Sequence, residues 1–297
     1  MKIIIIGSKG FIGSHCVQYF SQKADVWECD VIPDYANAQY FTVDATNADF
    51  SEIFQSQQFD ICINCSGAAS VPDSLMHTQR DFQLNVVNVF KILDTVKRFC
   101  PDCKFLNLSS AAVYGNPVVL PVKENQSLNP VSPYGFHKRQ AEDICEEFHR
   151  FFGIKTCSLR IFSAYGEGLK KQIFWDLSQK IKQSGEITMF GTGNETRDFI
   201  HISDLAMQID LAIQKADFIG ETINVANGVE IKIGDITKIF IEKAQWKGNV
   251  IFNGITRKGD PLNWVADISI FKKFGYNQQI SIENGIEKYL KWLKENA

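Results

Sequence analysis

Short apolar runs alternate with longer amphipathic stretches through the first half of the chain. The runs at 3–6, 26–29, 61–65 and 105–108 predict β-strands. The stretches between them place apolar residues at helical spacing and predict helices at 12–22, 47–57, 82–99 and 134–151. Strands that alternate with helices in this way predict a parallel sheet covered by helices on both faces, with right-handed crossovers.

The pattern becomes less regular after Arg160. A helix is predicted at 172–183, a strand at 221–225 and a further helix in the amphipathic segment SIENGIEKYLKWLKEN. There is no internal repeat, low-complexity tract or long linker. We therefore expect the second region to pack tightly against the first.

Length and charge narrow the class of protein. The chain has 297 residues and a formal net charge of −3, so its global charge gives no attraction for nucleic acid or anionic membranes. No apolar run approaches the ~20 residues of a membrane span. Met1 and Lys2 lead directly into the first strand and leave no room for a signal peptide, so a cytoplasmic protein is expected.

Two of the cysteine spacings are typical of half-sites for zinc, Cys62-x-x-Cys65 and Cys100-x-x-Cys103. The first pair lies in a predicted strand, where positions three apart face opposite sides of the sheet. The second pair follows a helix and would need a partner pair. We therefore expect buried, reduced thiols and no metal site.

A glycine ladder follows the first strand. Gly7, Gly10 and Gly13 flank the start of a predicted helix, and ligands of open α/β sheets bind beyond the carboxyl ends of the strands. Backbone N–H groups without neighbouring side chains can approach a pyrophosphate at the positive end of the helix dipole. The spacing is G-x-x-G-x-x-G and departs from the commonest dinucleotide-binding fingerprint.

Asp30 stands at the end of the second predicted strand. A carboxylate there suits the two ribose hydroxyls of NAD and would repel the additional phosphate of NADP. A solvated carboxylate at a strand end is the alternative interpretation.

Tyr134 and Lys138 are four residues apart and share one face of a predicted helix. A free tyrosine has a pKa of about 10, and a cation one helical turn away lowers it, which produces a usable proton donor or acceptor. A serine hydroxyl from the preceding strand end, LNLSS, could share that proton. The alternative is a surface tyrosine beside an unrelated lysine.

With these segments the chain resembles the extended short-chain dehydrogenase/reductase family, in its nucleotide-sugar epimerase/dehydratase branch. GSKGFIGSH, INCSGAASVPDS, NVVNVFKILD, SSAAVYG, PYGFHK, LRIFSAYGEG, FGTGNETRDFIHISD, NVANG and RKGDPLNWVAD follow in the family's order over nearly the whole chain. The resemblance implies a Rossmann-type doubly wound parallel sheet with a smaller α+β substrate-binding domain. We expect an NAD-binding domain at 1–165, with a returning segment at about 197–226, and a nucleotide-sugar-binding domain mainly at 166–297.

The resemblance also implies which residues contact NAD, the expected cofactor. The pyrophosphate would lie on Gly7, Gly10, Phe11, Ile12 and Gly13, the adenosine on Asp30, Asp44 and Ala45, and the middle of the cofactor along Cys65, Ser66, Gly67, Asn85 and Ser109. Tyr134 would be the acid/base, and Lys138 would bind the nicotinamide ribose and lower the pKa of Tyr134. Ser110 would be the catalytic hydroxyl, and its neighbour Ser109 could be mistaken for it.

The dianionic diphosphate of a nucleotide sugar requires local cations. The candidates are Arg197 and Arg257, whose guanidinium groups suit phosphate oxygens, and Asp260 would meet a ribose or an arginine. Further candidates for the substrate are Ser70, Ser110, Ser163, Lys171 and Phe190. Surface ion pairs, a solvated lysine and a core phenylalanine are the alternatives. No partner is visible for His137 or His201, and both are interpreted as structural.

Two departures from the family pattern bear on which reaction and which substrate are expected. The dehydratases of this branch place an Asp-Glu pair where this chain has Ala111 and Ala112, so no 4,6-dehydration is expected. Ser163 replaces the usual asparagine, which puts the nucleotide and sugar specificity in doubt.

Two reactions remain open, 4-epimerisation of a nucleoside-diphosphate hexose and NAD(P)H-dependent reduction of a 4-ketosugar. Asp30 favours the epimerase, which recycles NAD. A non-catalytic sensor or scaffold is disfavoured because Tyr134, Lys138 and Ser110 are all present. The family further implies a homodimer in which helices 82–99 and 134–151 form a four-helix bundle.

Overall fold

The computed structural model describes residues 1–182, 185–255, 259 and 261–296. The strands are β1 (Lys2–Ile6), β2 (Asp25–Asp30), β3 (Tyr40–Thr42), β4 (Ile61–Asn64), β5 (Lys104–Ser110), β6 (Thr156–Ile161), β7 (Ser163–Tyr165), β8 (Glu186–Met189), β9 (Thr196–Arg197), β10 (Phe199–His201), β11 (Ile219–Val225), β12 (Ile231–Lys232) and β13 (Asn249–Phe252). The α-helices are α1 (Phe11–Phe20), α2 (Ser51–Ser56), α3 (Val71–Met76), α4 (Thr78–Phe82), α5 (Asn88–Phe99), α6 (Pro133–Phe152), α7 (Gln172–Lys180), α8 (Ile202–Lys215), α9 (Ile233–Lys243), α10 (Ser269–Lys273) and α11 (Ile282–Glu295).

Seven of these strands form one parallel sheet in the order β11-β6-β5-β4-β1-β2-β3. The alternation of side chains along β1 explains its run of isoleucines. Ile3 and Ile5 pack in a cluster with α1 and α8, and Ile4 and Ile6 pack in a cluster with α2, α5 and α6. Because both faces are covered, every position of the strand favours an apolar residue. The predicted doubly wound fold is confirmed.

A third apolar cluster lies away from the main sheet. Phe174 of α7, Phe240 of α9 and Tyr289 of α11 are buried together. Their rings lie 5.8–6.0 Å apart around Phe174. The short strand pairs β7–β10, β9–β12 and β8–β13 accompany this cluster. The proposed division of the chain into two domains stays a prediction.

Several predicted elements differ in extent. The helix predicted at 47–57 begins at Ser51, and residue 183, where the next predicted helix ends, lies outside the described residues. The stretch at 82–99 is helical, but a π-helical turn occupies Gln83–Val87. Strand β6 was not predicted because Thr156, Ser158 and Arg160 interrupt its apolar pattern, although all six positions are buried. No helix within the described residues is long and apolar enough to cross a membrane.

Candidate active site

The glycine ladder forms a tight turn between β1 and α1. Gly7 has a φ of +85°, and a Cβ there would lie 2.6 Å from the backbone nitrogen of Ser66. A Cβ on Gly13 would lie 2.0 Å from the carbonyl oxygen of Gly7, so helix α1 packs directly on the turn. No side chain caps α1 at Gly10, and Phe11 and Ile12 form its first turn. These exposed N–H groups at the helix start fit a pyrophosphate.

The end of β2 lies beside this turn. Asp30 accepts hydrogen bonds from the backbone N–H of Lys9 (2.9 Å) and of Val31 (2.7 Å), so its carboxylate is oriented by the glycine turn itself. Asp44 follows β3, and its Oδ1 accepts hydrogen bonds from Thr46, which lower its pKa. Ala45 lies between Asp44 and Thr46 in the sequence. The structure thus places Asp30 and Asp44 at the ends of neighbouring strands.

The loop after β4 packs closely against the π-helical turn at Gly67 and Asn85. Asn85 is 1 % exposed, and neither atom of its side-chain amide has a hydrogen-bond partner. A Cβ on Gly67 would lie 2.5 Å from Asn85 Oδ1 and 3.6 Å from the Nζ of Lys138. An unpartnered buried amide facing a glycine fits a ligand that donates and accepts hydrogen bonds. Together with the glycine turn, it fits a dinucleotide such as NAD.

Cys65 and Ser66 precede Gly67 in the loop after β4. The Ser66 hydroxyl donates to Asn64 Oδ1 at 2.5 Å. Cys65 packs against one apolar cluster, while Cys62 lies in the cluster on the other face of the sheet. The two thiols therefore lie on opposite sides of the sheet. All eight cysteines are free, and the described part of the chain holds no group of three or more potential metal ligands.

Ser110, Tyr134 and Lys138 come together at the carboxyl end of β5. Tyr134 lies in the first turn of α6, which Ser132 caps by accepting a hydrogen bond from Gly135. The side chains of Ser110 and Tyr134 are close enough for the Ser110 hydroxyl to lower the pKa of Tyr134. The Lys138 Nζ lies 6.0 Å from the centre of the Tyr134 ring.

Burial dominates the titration of this group. Burial raises the pKa of Tyr134 to about 12, and the neighbouring Ser110 hydroxyl acts in the opposite direction. Burial also lowers the pKa of Lys138 to about 8, although nearby carboxylates act in the opposite direction. The Lys138 Nζ donates to the carbonyl oxygen of Leu108 at 2.8 Å and would lie 3.6 Å from a Cβ on Gly67.

Ser109 faces away from Ser110, as alternation along a strand requires. Its hydroxyl donates to Glu142 Oε1 at 2.5 Å, and Glu142 in turn binds the guanidinium of Arg160 at 2.8 Å. Arg160 also donates to the hydroxyl of Tyr114. Ser109 thus belongs to a buried network behind the site, which the sequence does not reveal because its members are far apart along the chain.

Several residues predicted for the substrate lie on short elements or in turns. Ser70 caps α3, Ser163 opens β7, and Phe190 is 44 % exposed in the turn after β8. Lys171 donates to the carbonyl oxygen of Ala69 at 3.1 Å, which brings the start of α7 close to the loop after β4.

Arg197 forms part of the two-residue strand β9. Its guanidinium donates to the carbonyl oxygens of Thr196 (2.8 Å) and Leu262 (3.1 Å) and lies 5.6 Å from the Trp264 ring. Arg257 and Asp260 lie outside the described residues.

Both histidines near the motifs have partners that sequence reasoning missed. His137 Nδ1 lies 2.5 Å from Asp81 Oδ2, and His201 Nε2 lies 3.0 Å from Glu167 Oε2. Neither pair leaves a local signal in the sequence, because the partners are 56 and 34 positions apart.

Comparison with known proteins places these features in a family. Residues 3–226 match the family model described as NAD dependent epimerase/dehydratase family. A putative UDP-glucose 4-epimerase from Methanocaldococcus jannaschii is 28 % identical over 306 residues, covering 99 % of each chain.

Two solved structures have the same fold. A UDP-glucuronic acid 4-epimerase from Bacillus cereus, in complex with UDP-glucuronic acid and NAD, superposes with a TM-score of 0.90, 26 % identity and full coverage of both chains. A UDP-N-acetylglucosamine 4-epimerase from Methanobrevibacter ruminantium, in complex with UDP-N-acetylmuramic acid, gives a TM-score of 0.89 at 25 % identity, covering 100 % of this chain and 99 % of the other.

Proposed function

We propose that this chain, which belongs to the NAD-dependent epimerase/dehydratase family and uses NAD as its cofactor, interconverts the C4 epimers of a nucleoside-diphosphate hexose. The observation that carries the proposal is the group Ser110–Tyr134–Lys138, in which Lys138 is buried and its Nζ lies beside Gly67 and Asn85. Three of the most similar proteins are named as 4-epimerases of UDP-sugars, which favours a UDP-sugar as the substrate.

The side chains supply the proton transfer of this reaction. Tyr134 in its phenolate form takes the proton of the C4 hydroxyl, which becomes a carbonyl, and returns the proton once the keto sugar has presented its other face. Ser110 donates a hydrogen bond to the same oxygen. NAD supplies the acceptor, and then the donor, of the C4 hydride. Because burial raises the pKa of Tyr134 to about 12, the phenolate requires the ammonium of Lys138 nearby.

The residues after Ser110 favour epimerisation over dehydration. Ala111 and Ala112 are buried in a 3₁₀ turn that follows β5 and carry no titratable group. Elimination of water from the sugar would need an acid and a base at these positions. We therefore propose that the chain performs no 4,6-dehydration.

The nucleotide sugar would extend from Tyr134 toward the short strands. Arg197 would meet the diphosphate, and Arg257 and Asp260 would join it from outside the described residues. Ser70, Ser163 and Lys171 would face the sugar or phosphate, and Phe190, exposed in its turn, would stack on the nucleobase.

The first experiment identifies the nucleotide that the purified protein retains. The protein is denatured, and the released nucleotide is measured by mass spectrometry. About one equivalent of NAD per chain is expected for an enzyme that recycles its cofactor. NADPH that exchanges freely would instead favour the 4-ketosugar reductase. Incubation with UDP-glucose, UDP-glucuronate and UDP-N-acetylglucosamine, followed by NMR of the products, then tests epimerisation at C4 directly.

We also propose that the chain forms a homodimer through α5 and α6 and the turn that precedes α5. Four phenylalanines of α5 and α6 are at least 45 % exposed, namely Phe90, Phe136, Phe151 and Phe152, and Phe82 at the end of α4 is 39 % exposed. Phe148, in contrast, is 1 % exposed and belongs to the core. Sedimentation equilibrium should give twice the mass of the chain, and Phe136→Glu together with Phe90→Glu should give the monomer.

A further inference from the structure

A buried acid–histidine pair joins α4 to α6 beside the candidate catalytic lysine. Asp81 is 2 % exposed and His137 is 8 % exposed. The His137 Nδ1 lies 2.5 Å from Asp81 Oδ2, and the His137 ring packs edge-on against Phe82. His137 immediately precedes Lys138, so the pair holds the turn of α6 that carries the lysine.

The second oxygen of Asp81 is not used by this contact. Asp81 Oδ1 is buried and has no hydrogen-bond partner. Asn85, one helical turn later, is likewise buried and unpartnered. Asp81 and Asn85, four residues apart on one helical stretch, thus both carry buried polar atoms without a partner, and Asp81 contacts His137, the neighbour of Lys138 on α6. A buried carboxylate with an unsatisfied oxygen is costly unless a nearby cation compensates it.

The charged and titratable groups around Lys138 come from every element packed on it. They are Tyr134, His137, Glu142 and Cys145 on its own helix, Asp81 on α4, Cys65 after β4 and Arg160 on β6. Glu142 is bound by the guanidinium of Arg160 at 2.8 Å, so its charge is already compensated. Among the described carboxylates that act on Lys138, Asp81 has the largest effect, and it opposes the lowering of the lysine pKa by burial.

We propose that Asp81, held in place by His137, is a positioning residue that supplies the counter-charge for the Lys138 ammonium and keeps it directed at the cofactor ribose. The proposal rests on the proposed function only in assigning Lys138 to NAD. Asp81 acts through Lys138 and contacts no reacting atom.

The pH dependence of NADH binding tests this proposal without any sugar. The full chain is freed of nucleotide and titrated with NADH, followed by fluorescence, between pH 6 and about pH 10. Protonated Lys138 is expected to favour binding, because the neutral dihydronicotinamide ring does not repel it. Affinity should therefore be full below the lysine pKa and fall as the pH rises through about 8. Lys138→Met should abolish this inflection.

The variants separate charge from structure. In Asp81→Asn the inflection should move to lower pH by about one unit, since a negative charge near the lysine is lost. NADH binding would then weaken about fivefold at pH 8 and hardly at pH 6. His137→Gln, whose amide still donates to Asp81, should keep the wild-type inflection, and His137→Leu should shift it as Asp81→Asn does. Asp210→Asn removes another buried carboxylate, which binds Lys23, and should leave the inflection unchanged.

An Asp81→Asn inflection at the wild-type pH, or a loss of affinity that is equal at every pH, would overturn the proposal. A Lys138→Met protein that keeps the inflection would overturn it as well. If Asp81→Asn does not fold, the two His137 variants decide the question in the same way. Should NADH binding behave as expected while no UDP-sugar is epimerised, only the proposed function fails.

Discussion

The residues assigned to NAD and those assigned to the nucleotide sugar are held in different ways. The first set lies at the carboxyl ends of neighbouring strands of one sheet, where backbone contacts such as those of Gly7 and Gly13 leave no room for change. The second set lies on a two-residue strand, a helix start and an exposed turn, as Arg197, Lys171 and Phe190 illustrate. We call the first set the rigid half and the second set the substrate half. When the residues that bind the cofactor are held rigidly and those that bind the substrate lie on short elements, the same reaction can serve different substrates.

Removal of the Tyr134 hydroxyl in the rigid half should have the largest effect on activity. Tyr134→Phe removes the proton acceptor and should lower kcat about a thousandfold, with bound NAD retained. Turnover of the UDP-sugar that the wild type accepts, followed by NMR, measures the loss. Tyr19→Phe is the control, because it removes a hydroxyl on α1 that donates a hydrogen bond to Asp210 on α8. A Tyr134→Phe enzyme with more than a tenth of wild-type kcat would contradict the assignment.

Substitution in the glycine turn should have the next largest effect, on the affinity for NAD. A Cβ at Gly13 would lie 2.0 Å from the Gly7 carbonyl oxygen, so Gly13→Ala must displace α1 from the turn. A strain of about 2–3 kcal/mol corresponds to NAD binding that is weaker by about a hundredfold. The NAD content of the purified protein and calorimetric titration measure it.

Gly185→Ala is the matched control for this change, because nothing lies within 4 Å of its added Cβ. If Gly13→Ala unfolds, Gly10→Ala offers a milder test, since its Cβ would lie 3.2 Å from the same carbonyl oxygen. Wild-type NAD affinity in both variants would show that the turn does not contact the cofactor.

Substitutions in the substrate half should raise KM for the UDP-sugar. Arg197→Ala removes a cation from the predicted diphosphate site and should raise KM for the UDP-sugar about tenfold, with unchanged NAD content. Arg98→Ala, which removes a surface guanidinium paired with Asp94 on α5, is the control. A loss of NAD together with the higher KM would place Arg197 in the rigid half and break the distinction.

The smallest effect is expected at Ser163. Ser163→Asn restores the residue that the family usually carries and should change the ratio of kcat/KM between two UDP-sugars by about threefold, with stability unchanged. Competition between UDP-glucose and UDP-N-acetylglucosamine measures this ratio. An identical ratio would remove Ser163 from the specificity site.

The sequence predicts the rigid half well because its signals are local. A run of isoleucines, a glycine ladder and a tyrosine four residues before a lysine each indicate an element within a few positions, and the structure confirms these elements. Strand β6 escaped prediction because its polar residues are satisfied by distant partners: Thr156 donates to the Cys145 carbonyl oxygen and Arg160 binds Glu142. The Asp81–His137 pair escaped for the same reason, since its two residues are 56 positions apart.

The substrate half is harder to predict because its parts are short. A strand of two residues has no periodicity, so β9 and β12 leave no signal in the sequence. Their position depends on contacts with the segment around Leu262, whose backbone N–H donates to Asn116 Oδ1. Such contacts join residues that only the folded chain brings together.

Strand β11 at one edge of the sheet has a consequence for how the protein is made. It pairs with β6 although 57 residues, from 162 to 218, separate the two strands. During synthesis on the ribosome, β6 must therefore wait with an open edge while the whole intervening segment emerges. An unpaired edge is a template for pairing with another chain. The nascent protein is thus most exposed to aggregation between the translation of these two strands, and this interval is where chaperone binding would matter most.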